Sequence, residues 1–206
     1  MSVESTDHWR RIYEIRSPTE LSWYEALPQH SLDLVRATGL PLDASILDVG
    51  AGASLLVDHL LTAGYSDVTV LDIAPAAFAQ TQSRLGPAAT RVTWIAGDVL
   101  EFEPTRRYAL WHDRAVLHFL TTAEKRSRYL RVLTAALAPR GHLILATFGP
   151  QGPTRCSGLP VQRYSEDQLR DLLPADFQLR RCLLENHRTP AGQEQQFLWT
   201  WWETGS

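Results

Sequence analysis

The chain has 206 residues, 44% hydrophobic and 21% charged, with a formal net charge of −3 at pH 7. That is enough apolar material for one domain with a substantial core, and the slight acidity gives no reason to expect nucleic-acid binding. No apolar run nears the ~18 residues of a membrane span, the N-terminus lacks the apolar stretch of a signal peptide, and two cysteines, Cys156 and Cys182, make no disulfide framework, so a cytoplasmic protein without membrane contact is expected.

Residues 3–15 carry Trp9, Ile12 and Tyr13 on one helical face, and Ser17-Pro18 ends that segment. A turn at Ser22-Trp23-Tyr24-Glu25 follows, then a helix over 31–36 that stops at Gly39 and Pro41. These pieces precede the first strand, so residues 1–42 read as a helical cap or lid. From residue 43 to 206, short apolar strands alternate with amphipathic helices, the pattern of βαβ units around a parallel sheet.

The informative stretch is Ile46-Leu47-Asp48-Val49-Gly50-Ala51-Gly52-Ala53-Ser54. It predicts a buried strand that breaks into a tight turn and feeds a helix over 54–62, with glycine letting a ligand approach the backbone. Asp48 puts a carboxylate suited to a cationic group at the strand's end. A dinucleotide fingerprint needs a third glycine where Leu55 stands, which disfavours a nicotinamide oxidoreductase. The second strand, 66–73, ends in Asp72 and Ile73; Asp72 lies twenty positions after Gly52, where an acid can accept hydrogen bonds from both hydroxyls of a ribose. It can also cap the helix predicted over 75–85, which Gly86-Pro87 closes. A third strand, 91–96, leads into Gly97-Asp98-Val99.

The fourth strand, 107–112, runs into Asp113-Arg114, with His118 shortly after. Ligands of open α/β sheets bind beyond the strands' carboxyl ends, so His112, Asp113, Arg114 and His118 are the polar groups expected nearest a reaction centre. If a substrate group there must lose a proton, Asp113 or His118 is the nearest base, and Arg114 could orient an acidic substrate. Thr121-Thr122-x-Glu124 caps the next helix, whose basic run reads as a solvated face, and a fifth strand covers 143–148. Residues 149–164, rich in Gly and Pro, read as a substrate loop in which Cys156 is a buried or substrate-contacting residue rather than a nucleophile. Ser165-x-x-Gln168 opens a helix to about residue 173. Strands over 177–186 and 193–203 then form a hairpin-like ending on which Trp199 to Trp202 alternate between faces.

Asp48-x-Gly50-x-Gly52 resembles motif I of the Rossmann-like (class I) S-adenosylmethionine-dependent methyltransferases, (D/E)-x-G-x-G-x-G, with Ser54 in place of the last glycine. The resemblance extends through Asp72, Asp98 and the polar turn at 112–114 in the same order, and through Ala138-Pro139-Arg140-Gly141, similar to an L-x-P-G-G turn with Arg140 replacing one glycine. It implies a seven-stranded α/β sandwich, mostly parallel with an antiparallel last strand. It further implies that S-adenosyl-L-methionine is held by Asp48, Gly50, Ala51, Gly52, Ser54, Asp72, Ile73, Asp98, Val99 and His112, leaving S-adenosyl-L-homocysteine as product. Asp98 would accept from the adenine amino group, with Val99 against the ring. The spacing Trp9, Tyr13, Trp23-Tyr24 is similar to the opening of a methyltransferase subgroup that includes lysine methylators of citrate synthase and elongation factor 1A, which makes Tyr13, Trp23 and Tyr24 lid candidates. The acceptor is expected to be a small molecule. A protein lysine is the alternative, and a cofactor-binding protein without catalysis is a third reading. The oligomeric state is not written in the sequence.

Overall fold

Ile46, Leu47, Asp48 and Val49 are all buried, as the middle strand of a covered sheet requires, and β1 (Ser45–Val49) is that strand. The structure, a computed structural model, describes residues 3–15 and 17–205. Helix α1 (Val3–Ile15) and helix α2 (Gln29–Ala37) precede β1. The chain continues through α3 (Leu56–Thr62), β2 (Asp67–Asp72), α4 (Pro75–Leu85), β3 (Val92–Ala96), β4 (Tyr108–Arg114), α5 (Ala123–Ala136) and β5 (Leu137–Phe148). A small ribbon of β6 (Arg155–Cys156) and β7 (Leu159–Pro160), helix α6 (Glu166–Leu172), and the long strands β8 (Phe177–Arg188) and β9 (Glu194–Thr204) complete it.

Seven strands form one sheet in the order β3-β2-β1-β4-β5-β9-β8. The first five run parallel, and β9 and β8 are antiparallel. This is the Rossmann-like α/β sandwich expected from the sequence. Strand order reverses between β1 and β4, and the crevice beyond their carboxyl ends is the natural ligand site of such a sheet. Two helical layers cover the faces. Leu47, Val49, Leu198 and Trp202 pack with Tyr129 of α5 and Leu169 of α6, whereas Ile46, Phe197 and Trp199 pack with the layer of α2, α3 and α4. The alternation of Phe197, Leu198 and Trp199 is the period-two pattern of a strand buried on both sides. A third cluster joins Tyr13 and Leu21 to Ala53, Ala74 and Ala77, which seats α1 over the turns that follow β1 and β2.

Local signals explain the boundaries. Pro75 opens α4, Ser165 and Gln168 form a reciprocal capping box on α6, and Thr122 caps α5 by accepting from Lys125 N–H. Arg140 adopts φ 56°, the left-handed conformation a glycine takes without strain. Three expectations need correction. β5 begins at Leu137 rather than at 143, so Ala138 to Gly141 belong to the strand instead of preceding it. β4 extends through Arg114 rather than ending at His112. The 149–164 segment carries the β6–β7 ribbon, turned by Ser157 (φ 49°) and Gly158 (φ 79°), because two consecutive positive φ values make a tight hairpin turn.

Candidate active site

The site is built first from the turn after β1. Gly50 N–H donates to Leu71 O (2.7 Å), extending the β1–β2 ladder by one bond. Gly50 and Gly52 sit at φ 64° and 54°, a conformation that costs an L-residue about 1–2 kcal/mol. A Cβ on Gly50 would overlap Val116 Cγ2, and one on Gly52 would overlap the Tyr13 hydroxyl. From the end of β2, Asp72 Oδ2 accepts Gly52 N–H and Oδ1 accepts Ala74 N–H, each at 2.7 Å. Burial pushes its carboxyl up to about 6 against the pull of those N–H groups. Ile73 N–H also pulls on the carboxylate, and the roughly four acceptor sites of an ionised carboxylate still leave room for a further donor. From α4, Arg84 donates to Ser54 O (2.9 Å) and grips Asp58 (2.8 Å), which pins the far side of the turn.

A cavity of about 780 Å³, counting the space at its mouth, runs along the strand ends. Asp72 and Ile73 line it after β2, Gly97 and Val99 after β3, and Gln195 and Phe197 on β9. β2 and β9 stand four strand spacings apart, about 19 Å at ~4.8 Å per spacing. Trp9 and Tyr13 of α1 and Trp23 of the following turn also line it. The Trp9 ring meets Trp23 edge-on at 5.8 Å and Phe119 at 5.1 Å. A second cavity of about 540 Å³ shares Val49, Gly50, Trp23 and Arg114 with the first and adds Tyr24, Asp48, Ala51, Ser54 and His112.

Asp48 does not stand alone at the strand's end. Its Oδ1 lies 2.7 Å from His112 Nδ1, and His112 Nε2 lies 3.0 Å from Ser31 Oγ, all three residues being buried. Asp48 Oδ2 is buried with no hydrogen-bond partner. Asp48 and His112 are cross-strand neighbours in the β1–β4 register, which places their side chains on the same face.

Arg114 stands in the wall common to both cavities. Its Nη1 donates to Trp23 O (2.7 Å), and its Nη2 meets Glu25 Oε1 at 3.0 Å. His187 Nε2 donates to Ser22 O (2.9 Å), and its Nδ1 lies 3.4 Å from the same Glu25 oxygen. The segment from Ser22 to Glu25 is therefore fastened to the sheet by two side chains. Burial raises the Glu25 carboxyl, but His187 and Arg114 outweigh that effect and hold it below its ordinary value. Glu25, Glu185 and His187 bring ligand-type atoms within 4.8 Å of one another. Arg114 and His30, 3.6 Å from Glu185, already face those carboxylates.

The two candidate bases require correction. Because β4 continues past His112, Asp113 points to the opposite face from His112 and Arg114. Its carboxylate accepts the Tyr129 hydroxyl (2.5 Å), Val116 N–H (2.8 Å) and Leu117 N–H (3.1 Å), and it lines neither cavity. Burial is the main cause that lifts it to about 6. His118 is fully buried against Phe119 and Phe148, and its Nδ1 lone pair accepts Phe148 N–H at 3.3 Å. Burial drives it down to about 3, so the ring is neutral and its acceptor nitrogen is engaged. Arg114 already faces the Glu25 carboxylate at 3.0 Å, while its buried Nε and Nη2 make no hydrogen bond.

Of the other expected residues, Tyr13, Trp23, Gly50, Asp72, Ile73 and Val99 meet in the first cavity. Tyr24, Asp48, Ala51, Ser54 and His112 meet in the second. Gly52 lies beneath Tyr13, bonded to Asp72. Asp98 accepts Leu100 N–H (2.9 Å) between the cavity-lining Gly97 and Val99. Cys156 is buried and lines the first cavity, with burial lifting its thiol to about 11. Sequence reasoning missed Val116, Phe119, Gln195, Phe197 and Glu25. The signal for Gln195 and Phe197 was available, since an antiparallel last strand begins at the edge where parallel strands end.

Comparison with known proteins agrees with this geometry. A family described as "Methyltransferase domain" matches residues 47–143. Malonyl-[acyl-carrier protein] O-methyltransferase of Anoxybacillus flavithermus is 32% identical over 107 residues, 51% of this chain and 39% of that protein. EEF1A lysine methyltransferase 2 of Mus musculus is 24% identical over 163 residues, 71% of this chain and 66% of that protein. The chain thus spans less than two thirds of the length of these relatives. The crystal structure of Burkholderia thailandensis 1,6-didemethyltoxoflavin-N1-methyltransferase, with 1,6-didemethyltoxoflavin and S-adenosylhomocysteine bound, superposes with a TM-score of 0.70 at 24% identity, covering 99% of this chain and 85% of that one. Residues 47–143 are thus similar to a methyltransferase domain, and the chain as a whole shares the fold of the solved methyltransferase.

Proposed function

We propose that this protein transfers the methyl group of S-adenosyl-L-methionine to a small-molecule acceptor and releases S-adenosyl-L-homocysteine. The observation that carries the reading is one cavity running from Asp72, beside the glycine turn, to the aromatic wall on β9. The residues fit the cofactor. Asp72 has lone pairs left for ribose hydroxyls, and Leu71, Ile73 and Val99 offer an apolar seat for adenine, with Asp98 beside it. The partnerless Asp48 Oδ2 suits an ammonium group, and His112 with Ser31 fixes that carboxylate in place.

The bound cofactor supplies an electrophilic methyl group, so the protein's task is alignment and exclusion of water rather than covalent chemistry. Trp9, Tyr13 and Trp23 act as the lid, and residues 1–42 are its cap. Arg114 and His187 hold the cap against the sheet through Ser22, Trp23 and Glu25. Asp113 and His118 support the walls of the site and take no proton from the acceptor. A small acceptor is favoured because the far end of the cavity lies beneath the Trp9 and Trp23 rings. Its free cysteines, Cys156 and Cys182, suit the reducing cytoplasm, where we place it.

Incubation with methyl-labelled S-adenosylmethionine and cell extract tests the reading. Label in the small-molecule fraction is expected. Label on a protein band would favour a lysine acceptor instead, a reading the EEF1A lysine methyltransferase 2 relative makes concrete. No label from a protein that binds S-adenosylhomocysteine would identify a non-catalytic binding protein.

A further inference from the structure

The half of the cavity beyond β4 is walled by Trp9, Trp23, Phe119 and Phe197, with Arg114 between them. If the methyl-transfer reading above holds, this is the acceptor's compartment. We infer that the acceptor is an uncharged, planar ring compound that offers a nucleophilic lone pair without giving a proton to the protein.

Three observations converge. A cationic acceptor is disfavoured because the guanidinium of Arg114 already lies over Phe197 (5.2 Å to the ring centre) and near Trp199 (6.0 Å). The face of Phe197 that would attract a cation is already occupied by one. An anionic acceptor is disfavoured because Glu25, kept ionised by His187 and Arg114, stands 3.0 Å from that guanidinium and would repel a second carboxylate there. A carboxylate entering the compartment would displace a partly buried pair that already balances itself. Planarity follows from the walls. Trp9 stands edge-on to Trp23 and Phe119, with interplanar angles of 76° and 78°, and aromatic rings add their best partners by offset stacking or edge-to-face contact.

Neither Asp113, His118 nor Cys156 is free to act as a base there. Asp113 spends its carboxylate on Tyr129, Val116 and Leu117, His118 spends its lone pair on Phe148 N–H, and the Cys156 thiol stays protonated. The acceptor's lone pair therefore forms the bond to the methyl carbon directly, while the carbon–sulfur bond breaks with its electron pair left on sulfur. The positive charge passes to the acceptor atom, which sheds a proton to water after release where it carries hydrogen.

The test begins with calorimetric titration of S-adenosylhomocysteine into the full chain. Failure at this step overturns the methyl-transfer reading. The loaded protein is then titrated with four bicyclic probes: quinoline (planar, neutral at physiological pH), N-methylquinolinium (planar cation), quinoline-6-carboxylate (planar anion) and camphor (neutral, not planar). Quinoline is expected to bind at least about tenfold more tightly than each of the others, a difference of ~1.4 kcal/mol. In Glu25→Gln, which unmasks Arg114, the carboxylate probe should gain about tenfold on quinoline. A charged probe or camphor matching quinoline, no quinoline binding to the loaded protein, or an unchanged ranking in Glu25→Gln overturns the inference and leaves the methyl-transfer reading standing.

Discussion

Asp72→Asn removes one charge and one acceptor from the residue that joins the glycine turn to the cavity. The native carboxyl sits at about 6 instead of 3.8 because it is buried, so at neutral pH its ionised form carries a penalty of about 3 kcal/mol, at ~1.36 kcal/mol per pKa step. Asparagine escapes that penalty but keeps a single acceptor oxygen. One of the two N–H groups now bonded at 2.7 Å, from Gly52 or Ala74, then faces an amide NH2, at a cost of about 1–3 kcal/mol. The two effects nearly cancel, and the thermal midpoint of the ligand-free protein should move by no more than about 5 °C. Affinity behaves differently. A ligand hydroxyl that donates to a charged acceptor gains about 1.5–3 kcal/mol, so S-adenosylhomocysteine should bind about 10- to 150-fold more weakly to the variant. Calorimetric titration and circular-dichroism melts on the same preparations separate the two quantities. An affinity within about twofold of the parent (~0.4 kcal/mol) would refute the reasoning. A midpoint lowered by more than about 10 °C would mean that the carboxylate serves the fold rather than the ligand.

The same residue sets a pH dependence. Its raised carboxyl means that the fold holds the proton longer than the unfolded chain, so its contribution to stability is present at low pH and is lost as pH rises from 3.8 through about 6. Ligand affinity runs the opposite way, and S-adenosylhomocysteine should bind more weakly at about pH 5 than at about pH 7.5; equal affinities at both would refute this. Gly50→Ala must accept φ 64° and a clash with Val116 Cγ2. It should lose about 2–4 kcal/mol of stability in denaturant titrations, and a neutral result would mean that the turn relaxes easily. Asp113→Asn should leave S-adenosylhomocysteine affinity within about twofold, and once an acceptor is known its turnover should survive too. Loss of turnover with binding retained would reinstate that carboxylate as a base.

What could be read in the sequence was what neighbours along the chain decide. Gly50 and Gly52, Pro75, the Ser165–Gln168 capping box and the spacing from Gly52 to Asp72 are local signals, and each predicted element lies where they put it. The charged pair Asp113-Arg114 misled because charge usually ends a strand. Here the strand continues, since Asp113 finds Tyr129 sixteen residues on and Arg114 finds Glu25 far upstream. Such partners come from the fold and leave no local trace. The same holds for the Asp48, His112 and Ser31 chain, whose links span 64 and 81 residues, and for Phe197, which reaches the cavity only because β9 runs against its neighbours.

The order of strands in the sheet also divides the labour of the molecule. The matched family region, residues 47–143, begins inside β1, runs through β2, β3 and β4, and ends inside β5. Trp9, Trp23, Cys156, Gln195 and Phe197 all lie outside it. One end of the trough is therefore built from the matched scaffold, and the other is upholstered by segments that flank it. Exchange of the terminal hairpin and the N-terminal arm would give the proposed methyltransferase a new clientele while its proposed grip on the methyl donor stayed as it was.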